Sequence, residues 1–190
     1  MIFYHGTTAV SAKRIYDEGI DYNANTDIGD FGRGFYLTTD KTFAIKCAYR
    51  KVYNNFLAKP CLVSFNIDID RAISDGAVLV FDTPNIAWGQ FIVNNRNGYD
   101  YVTRLKQQEH HNLDRRYIMV RGMVADGSVR RIAELVDSEN RLLKSPELPD
   151  IISSSYPDQL SLHKKEAERY ILDKDKKPRL TPITGERRYR

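Results

Sequence analysis

Met1-Ile2-Phe3-Tyr4-His5-Gly6-Thr7-Thr8 opens the chain and begins the pattern that decides its class. The residues up to Gly6 are aromatic and apolar, as in a strand. Thr8 is a fair N-cap for a helix that runs through Glu18 and stops at Gly19. Working outward, Phe35-Tyr36-Leu37-Thr38 reads as a second strand. Thr39 can cap a helix in which Phe43, Ala44, Cys47, Ala48, Val52 and Phe56 recur on one face, so Cys47 reads as a core residue. From Cys61 to Ile69 the period falls to two, with Val63, Phe65, Ile67 and Ile69 on one side of a half-buried strand. Ala77 to Phe81 is a further strand, and Thr83-Pro84 starts a helix carrying Ala87, Trp88, Phe91 and Ile92, with Trp88 in the core. Tyr117 to Val120, Ile132 to Val136 and Leu160 to Leu162 complete the strands, before a last helix from about Lys164 to Leu172. Strands and helices mix without regular alternation, which predicts an α+β fold.

The chain has 190 residues, a length suited to one compact domain, and 42% of them are apolar, which excludes disorder of the body. A run of about 18 apolar residues, as a membrane span needs, is absent, and Met1 to His5 does not begin a leader peptide. The expectation is a cytoplasmic protein with no membrane partner. Two cysteines and four histidines, none at zinc-site spacing, predict no disulfide framework and no metal. The net charge of +4 resides mainly in residues 174–190, where seven Lys and Arg face only Asp175 and Glu186. Residues 1–173 therefore read as one domain and 174–190 as a basic, mobile tail.

Phosphate-loop, nucleophile-elbow and dinucleotide fingerprints are absent. The glycines of Gly29-Asp30-Phe31-Gly32-Arg33-Gly34 precede a strand instead of following one, so they belong to a long loop from Asp21 to Gly34. His110-His111 sits in a charged segment and reads as solvated loop. Two stretches can carry chemistry: Tyr4-His5-Gly6-Thr7-Thr8, and Asp30 through Thr39. An imidazole beside a glycine can meet a ligand hydroxyl while bare backbone pairs with an amide, and a nearby tyrosine offers a stacking face. The same residues equally fit a capped strand end and a core tyrosine.

His5-Gly6-Thr7 followed by Gly34-Phe35-Tyr36-Leu37-Thr38 resembles the first two motifs of the diphtheria-toxin-like ADP-ribosyltransferases, whose sites use a His, Tyr, Glu triad. More narrowly, the chain is similar to a bacterial family of transferase-like proteins. That likeness rests on Asp30-Phe31-Gly32, on Trp88 to Arg96 (Trp-x-x-Phe-x-x-x-Asn-Arg), and on Gln159-Leu160-Ser161-Leu162-His163, and it spans about residues 2–172. The resemblance implies split, twisted sheets flanked by helices, with NAD bound between them as substrate. It makes His5, Tyr36 and Gln159 the catalytic set, with Gln159 where the better-known enzymes have Glu. NAD would be held by His5, Gly6, Thr7, Arg33, Phe35 and Tyr36, with His5 on a ribose, Gly6 on the carboxamide and Tyr36 on the nicotinamide ring.

The implied function is transfer of ADP-ribose to a protein or nucleic-acid acceptor. The implied role is the toxin of a toxin-antitoxin or phage-defence pair, with a small cognate antitoxin as partner. Two alternatives stand beside it. A neutral Gln159 suits a catalytically weak NAD or ADP-ribose binding module. The pI near 9.0, with the tail and the segment Lys106 to Arg121, suits a basic RNA-interaction protein.

Overall fold

The computed structural model describes residues 1–24, 28–55, 57–105, 110–125, 132 and 157–184. The elements run β1 (Ile2–Thr8), α1 (Ala9–Glu18), β2 (Phe35–Thr38), α2 (Lys41–Val52), β3 (Pro60–Asn66), α3 (Ile69–Ser74), β4 (Val78–Val80), α4 (Ile86–Leu105), β5 (Met119–Met123), β6 (Asp158–Leu162) and β7 (Arg179–Pro182). They form an α+β fold on a seven-stranded sheet ordered β4-β5-β6-β2-β1-β3-β7. The β4/β5 pair is parallel and the other pairs are antiparallel.

Local chemistry accounts for most boundaries. Thr8 accepts from the Ser11 N–H to cap α1, and Gly19, at φ 90°, ends it. The cap of α2 is Asp40, not Thr39: its carboxylate accepts from the Phe43 N–H. Asn85 likewise caps α4 by accepting from the Trp88 N–H, displacing the expected Thr83. Ile69 is buried as expected, but it begins α3 because Asp68 accepts from the Arg71 N–H just ahead of it. The last helix is a 3-10 turn over Lys165–Tyr170.

The expected mobile tail gives way over 179–182 to an edge strand, β7, which pairs with β3 from Cys61↔Pro182 to Ser64↔Arg179. Its proline is tolerated because an edge strand needs only one side of its ladder. Of the expected strand from Ile132 to Val136, only Ile132 is among the described residues, and it is buried. Phe56 lies outside the described residues, as does Arg130-Arg131, a basic pair that the sequence offers as a weak signal for an anionic partner. No helix among those described is long and apolar enough to cross a membrane.

Alternation along the strands divides the core in two. Phe35, Leu37, Met119, Leu160 and Leu162 join Phe3, Phe65 and Tyr170 on one side of the sheet. Val120 joins Phe31, Trp88, Phe91 and Ile92 on the other, where Tyr36 packs. Trp88 is fully buried and donates its indole N–H to the Met123 carbonyl.

Candidate functional site

The sheet has one weak seam. β1 pairs with β3 along its whole length, but its register with β2 consists of Tyr4↔Thr38 alone. Residues opposite one another share a face, so Tyr4, Gly6, Tyr36, Thr38 and Gln159 lie on one side and His5, Thr7 and Phe35 on the other. A cavity of about 460 Å³ occupies the second side, lined by His5, Thr7, Gly34, Phe35 and residues of α1. A cavity of about 220 Å³ on the first side is lined by Tyr4, His5, Gly6, Tyr36, Gln159 and the α2 residues Phe43, Ala44 and Cys47. Two residues belong to both, His5 and Lys51. The pair of cavities meets at the seam.

His5 bridges that seam. Its Nδ1 lies 2.7 Å from the Tyr36 carbonyl, which can only accept, so Nδ1 carries the proton and Nε2 is left as an acceptor. Lys51 Nζ donates to Nε2 at 3.3 Å. The ring stacks on Phe35 with centroids 4.4 Å apart. Burial, reinforced by the Lys51 charge, holds the imidazole pKa down at about 3, so His5 is neutral at physiological pH.

Tyr36 is gripped at its hydroxyl, which donates to the Gly32 carbonyl (2.6 Å) and accepts from the Phe31 N–H (2.9 Å). Burial pushes its pKa far above the ordinary value. The turn it grips is closed by the reciprocal Gly29–Gly32 backbone bonds. A Cβ on Gly29 would come within 2.4 Å of the hydroxyl, so that glycine admits the phenol. Tyr36→Phe keeps the ring but leaves the Phe31 N–H without its acceptor and takes one of two donors from the Gly32 carbonyl. A stability loss of about 2 kcal/mol in urea unfolding is expected, and an unchanged midpoint would deny the anchor.

Gln159 is buried, and its Nε2 donates to Asp30 Oδ2 (3.0 Å) and to the Met123 carbonyl (3.3 Å). Both partners are acceptors, which fixes the orientation of the amide. The same Asp30 carboxylate accepts from Arg96 Nε (3.0 Å) and Nη2 (2.6 Å) on Oδ1, and from the Ala125 N–H (2.9 Å) on Oδ2. Asp30, Arg96 and Gln159, drawn from three separate motifs, therefore form one hub behind the smaller cavity, with Asp30 and Gln159 buried and Arg96 reaching Asp30 from the surface. Asn94 and Asn95 extend it: Asn94 Nδ2 donates to the His110 carbonyl and Asn95 Oδ1 accepts from the Asn112 N–H. These bonds pin the charged segment expected to be solvated loop, and His111 is buried there.

His163 is fully buried, with Nδ1 donating to the Arg33 carbonyl (2.8 Å) and Nε2 facing Ser161 Oγ (2.8 Å). A Cβ on Gly34 would lie 2.7 Å from that Nδ1. Burial is the main cause that lowers its pKa from 6.5 to about 4. Between those values the unfolded chain binds a proton that the folded chain refuses, so stability rises with pH across the window and falls as the medium is acidified. His163 should cost about 2 kcal/mol on going from pH 7 to pH 5. His163→Asn retains a donor at the Nδ1 position, so its unfolding free energy should be correspondingly flatter in that range. An equal acid slope in both proteins would contradict this.

Of the expected ligand-binding residues, His5, Thr7 and Phe35 line the larger cavity, and His5, Gly6, Tyr36 and Gln159 the smaller. Arg33 stands apart. It is exposed and lines a third cavity of about 360 Å³ with Ile28, Gly98, Leu113, Asp114 and Arg115. Lys51 was missed by sequence reading, although it follows Cys47 by one helical turn on the face that meets the sheet. The described residues contain no group of three or more His, Cys, Asp or Glu placed to hold a metal ion.

Residues 1–172 match the family of proteins of unknown function DUF3990, and the chain belongs to that family. The match ends ahead of the basic segment. No curated protein matches the chain.

Proposed function

We propose that the protein is an NAD-dependent ADP-ribosyltransferase that modifies a macromolecular acceptor. The supporting observation is convergence: His5, Gly6, Tyr36 and Gln159, distant in sequence, line one cavity at the seam between β1 and β2. In this reading the nicotinamide end of NAD occupies the 220 Å³ cavity against Tyr36 and the adenosine end the 460 Å³ cavity beyond His5. The rigidly held Tyr36 ring presents an apolar face for the nicotinamide at little ordering cost. The neutral His5 offers Nε2 as an acceptor for a ribose hydroxyl. The bond from the ribose C1′ to nicotinamide breaks, its electron pair leaving with nicotinamide. The acceptor's nucleophile then bonds C1′ and gives its proton to solvent.

In bacteria such an activity fits a cytoplasmic toxin of a toxin-antitoxin or phage-defence pair, restrained by a small cognate antitoxin. A second reading, a binding module with little turnover, is favoured by one observation. The residues lining the smaller cavity include no Asp or Glu, and the amide of Gln159 is turned into the hub by Asp30.

Calorimetry with NAD tests the binding both readings share. The wild type should bind. His5→Ala, which removes a half-buried side chain at a strand seam, should bind at least about tenfold more weakly while still melting cooperatively. Absence of NAD binding by the wild type would contradict both.

A further inference from the structure

Lys51 is an ammonium group in an unusual setting. It projects from the last turn of α2 onto the point where the two cavities meet, and it lines both. Its nearest polar partner is the Nε2 lone pair of His5, at 3.3 Å. Among the described residues no carboxylate lies within 4.0 Å of it, whereas Arg14, on the same cavity wall, is paired with Glu18. A cation held against a neutral imidazole, with its pKa lowered by desolvation and only the nearby Cys47 thiol acting the other way, has no carboxylate among the described residues to offset the loss of water.

The position is also the right one for a ligand's charge. A molecule long enough to occupy both cavities must pass its middle over His5 and Lys51. In a dinucleotide that middle is a pyrophosphate, the anionic part of the molecule.

We propose that Lys51 holds the pyrophosphate of a dinucleotide at the junction of the two cavities, exchanging His5 for phosphate oxygens as the ligand enters. The assignment rests on the reading of the cleft as an NAD site and adds a consequence to it. Lys51 donates to His5 Nε2, the atom that a ribose hydroxyl would use. Phosphate draws the ammonium away and frees that atom, so a dinucleotide unlocks His5 and free nicotinamide does not. The site thereby selects ligands that carry the diphosphate.

The test is binding of NAD, ADP-ribose and nicotinamide to the wild type, Lys51→Met and Lys51→Arg. Calorimetry serves for the first two ligands and ligand-observed NMR for the third. Lys51 stands at a helix end with part of its side chain exposed and its ammonium end turned to the cleft, and melting of each variant checks that the fold is kept. Lys51→Met should weaken NAD and ADP-ribose by about 10- to 100-fold, leave nicotinamide unchanged, and lessen the salt dependence of ADP-ribose binding. Lys51→Arg should retain most of the affinity. Two results would overturn the assignment alone: equal NAD affinity in wild type and Lys51→Met, or an equal loss of nicotinamide, which would make Lys51 a support for His5 only. A wild type that binds neither NAD nor ADP-ribose would overturn the reading of the cleft and the Lys51 assignment with it.

Discussion

Gln159→Glu should destabilise the protein by about 3–5 kcal/mol at neutral pH, the cost of an uncompensated charge in a buried network. The substitution is nearly isosteric and, judged by motif alone, would restore the glutamate of better-known transferases. Its surroundings set a cost in stability. Where Nε2 now donates to Asp30 Oδ2 and to the Met123 carbonyl, a carboxylate would face two acceptors with nothing to give. Arg96 grips Asp30 through Oδ1, so it offsets only part of the repulsion. The two carboxyls would share a proton, with a joint pKa raised above the ordinary carboxylate range of about 4. A raised folded-state pKa gives stability that is present at low pH and lost as pH rises, so the defect should shrink as the medium is brought toward pH 4. Chemical denaturation at pH 7 and pH 5 checks both sign and size. A variant as stable as wild type at pH 7 would show that Gln159 is not bound into the hub.

Gly6→Ala should cost about 3 kcal/mol or more and abolish binding in the smaller cavity. A Cβ at this position would lie 1.8 Å from the Ala44 carbonyl oxygen and 2.7 Å from the Ala48 nitrogen, both backbone atoms of α2. Neither can turn aside as a side chain would, so the helix must lift from β1. Phe43, Ala44, Cys47 and Lys51 would move with it, taking away one wall of the cavity. A glycine needed only for close approach of a ligand would give a variant of normal stability that binds poorly. Thermal melting of the unliganded protein separates the two roles.

Gly6 also illustrates what could be read from sequence. His-Gly reads as a glycine that lets bare backbone meet a ligand; in the structure the absent Cβ faces α2, while the residue also lines the smaller cavity. The strand Phe35–Thr38, the Thr8 cap and the Gly19 stop were legible because each depends on neighbours a few positions away. Ile69 was not, since an alternating strand and a capped helix both bury it. The caps of α2 and α4 were misplaced by one or two residues because adjacent side chains, Thr39 with Asp40 and Thr83 with Asn85, can each accept the orphan N–H groups. The edge strand β7 was hidden by its proline and its place in a basic segment, features that an unpaired sheet edge tolerates. The His5, Tyr36 and Gln159 grouping was visible as motif order, but the hub of Asp30, Arg96 and Gln159 joins positions too far apart for local pattern to connect.

Turnover of NAD with capture of its ADP-ribose is open to one direct measurement. NAD labelled in the adenylate phosphate is incubated with purified protein and bacterial lysate. Released nicotinamide is quantified by chromatography, and labelled macromolecules are split into protease-sensitive and nuclease-sensitive fractions. Transferase activity predicts nicotinamide release matched by label in one of those fractions, both lost with His5→Ala. Binding of NAD without nicotinamide release, or label no greater than in lysate alone, would contradict it.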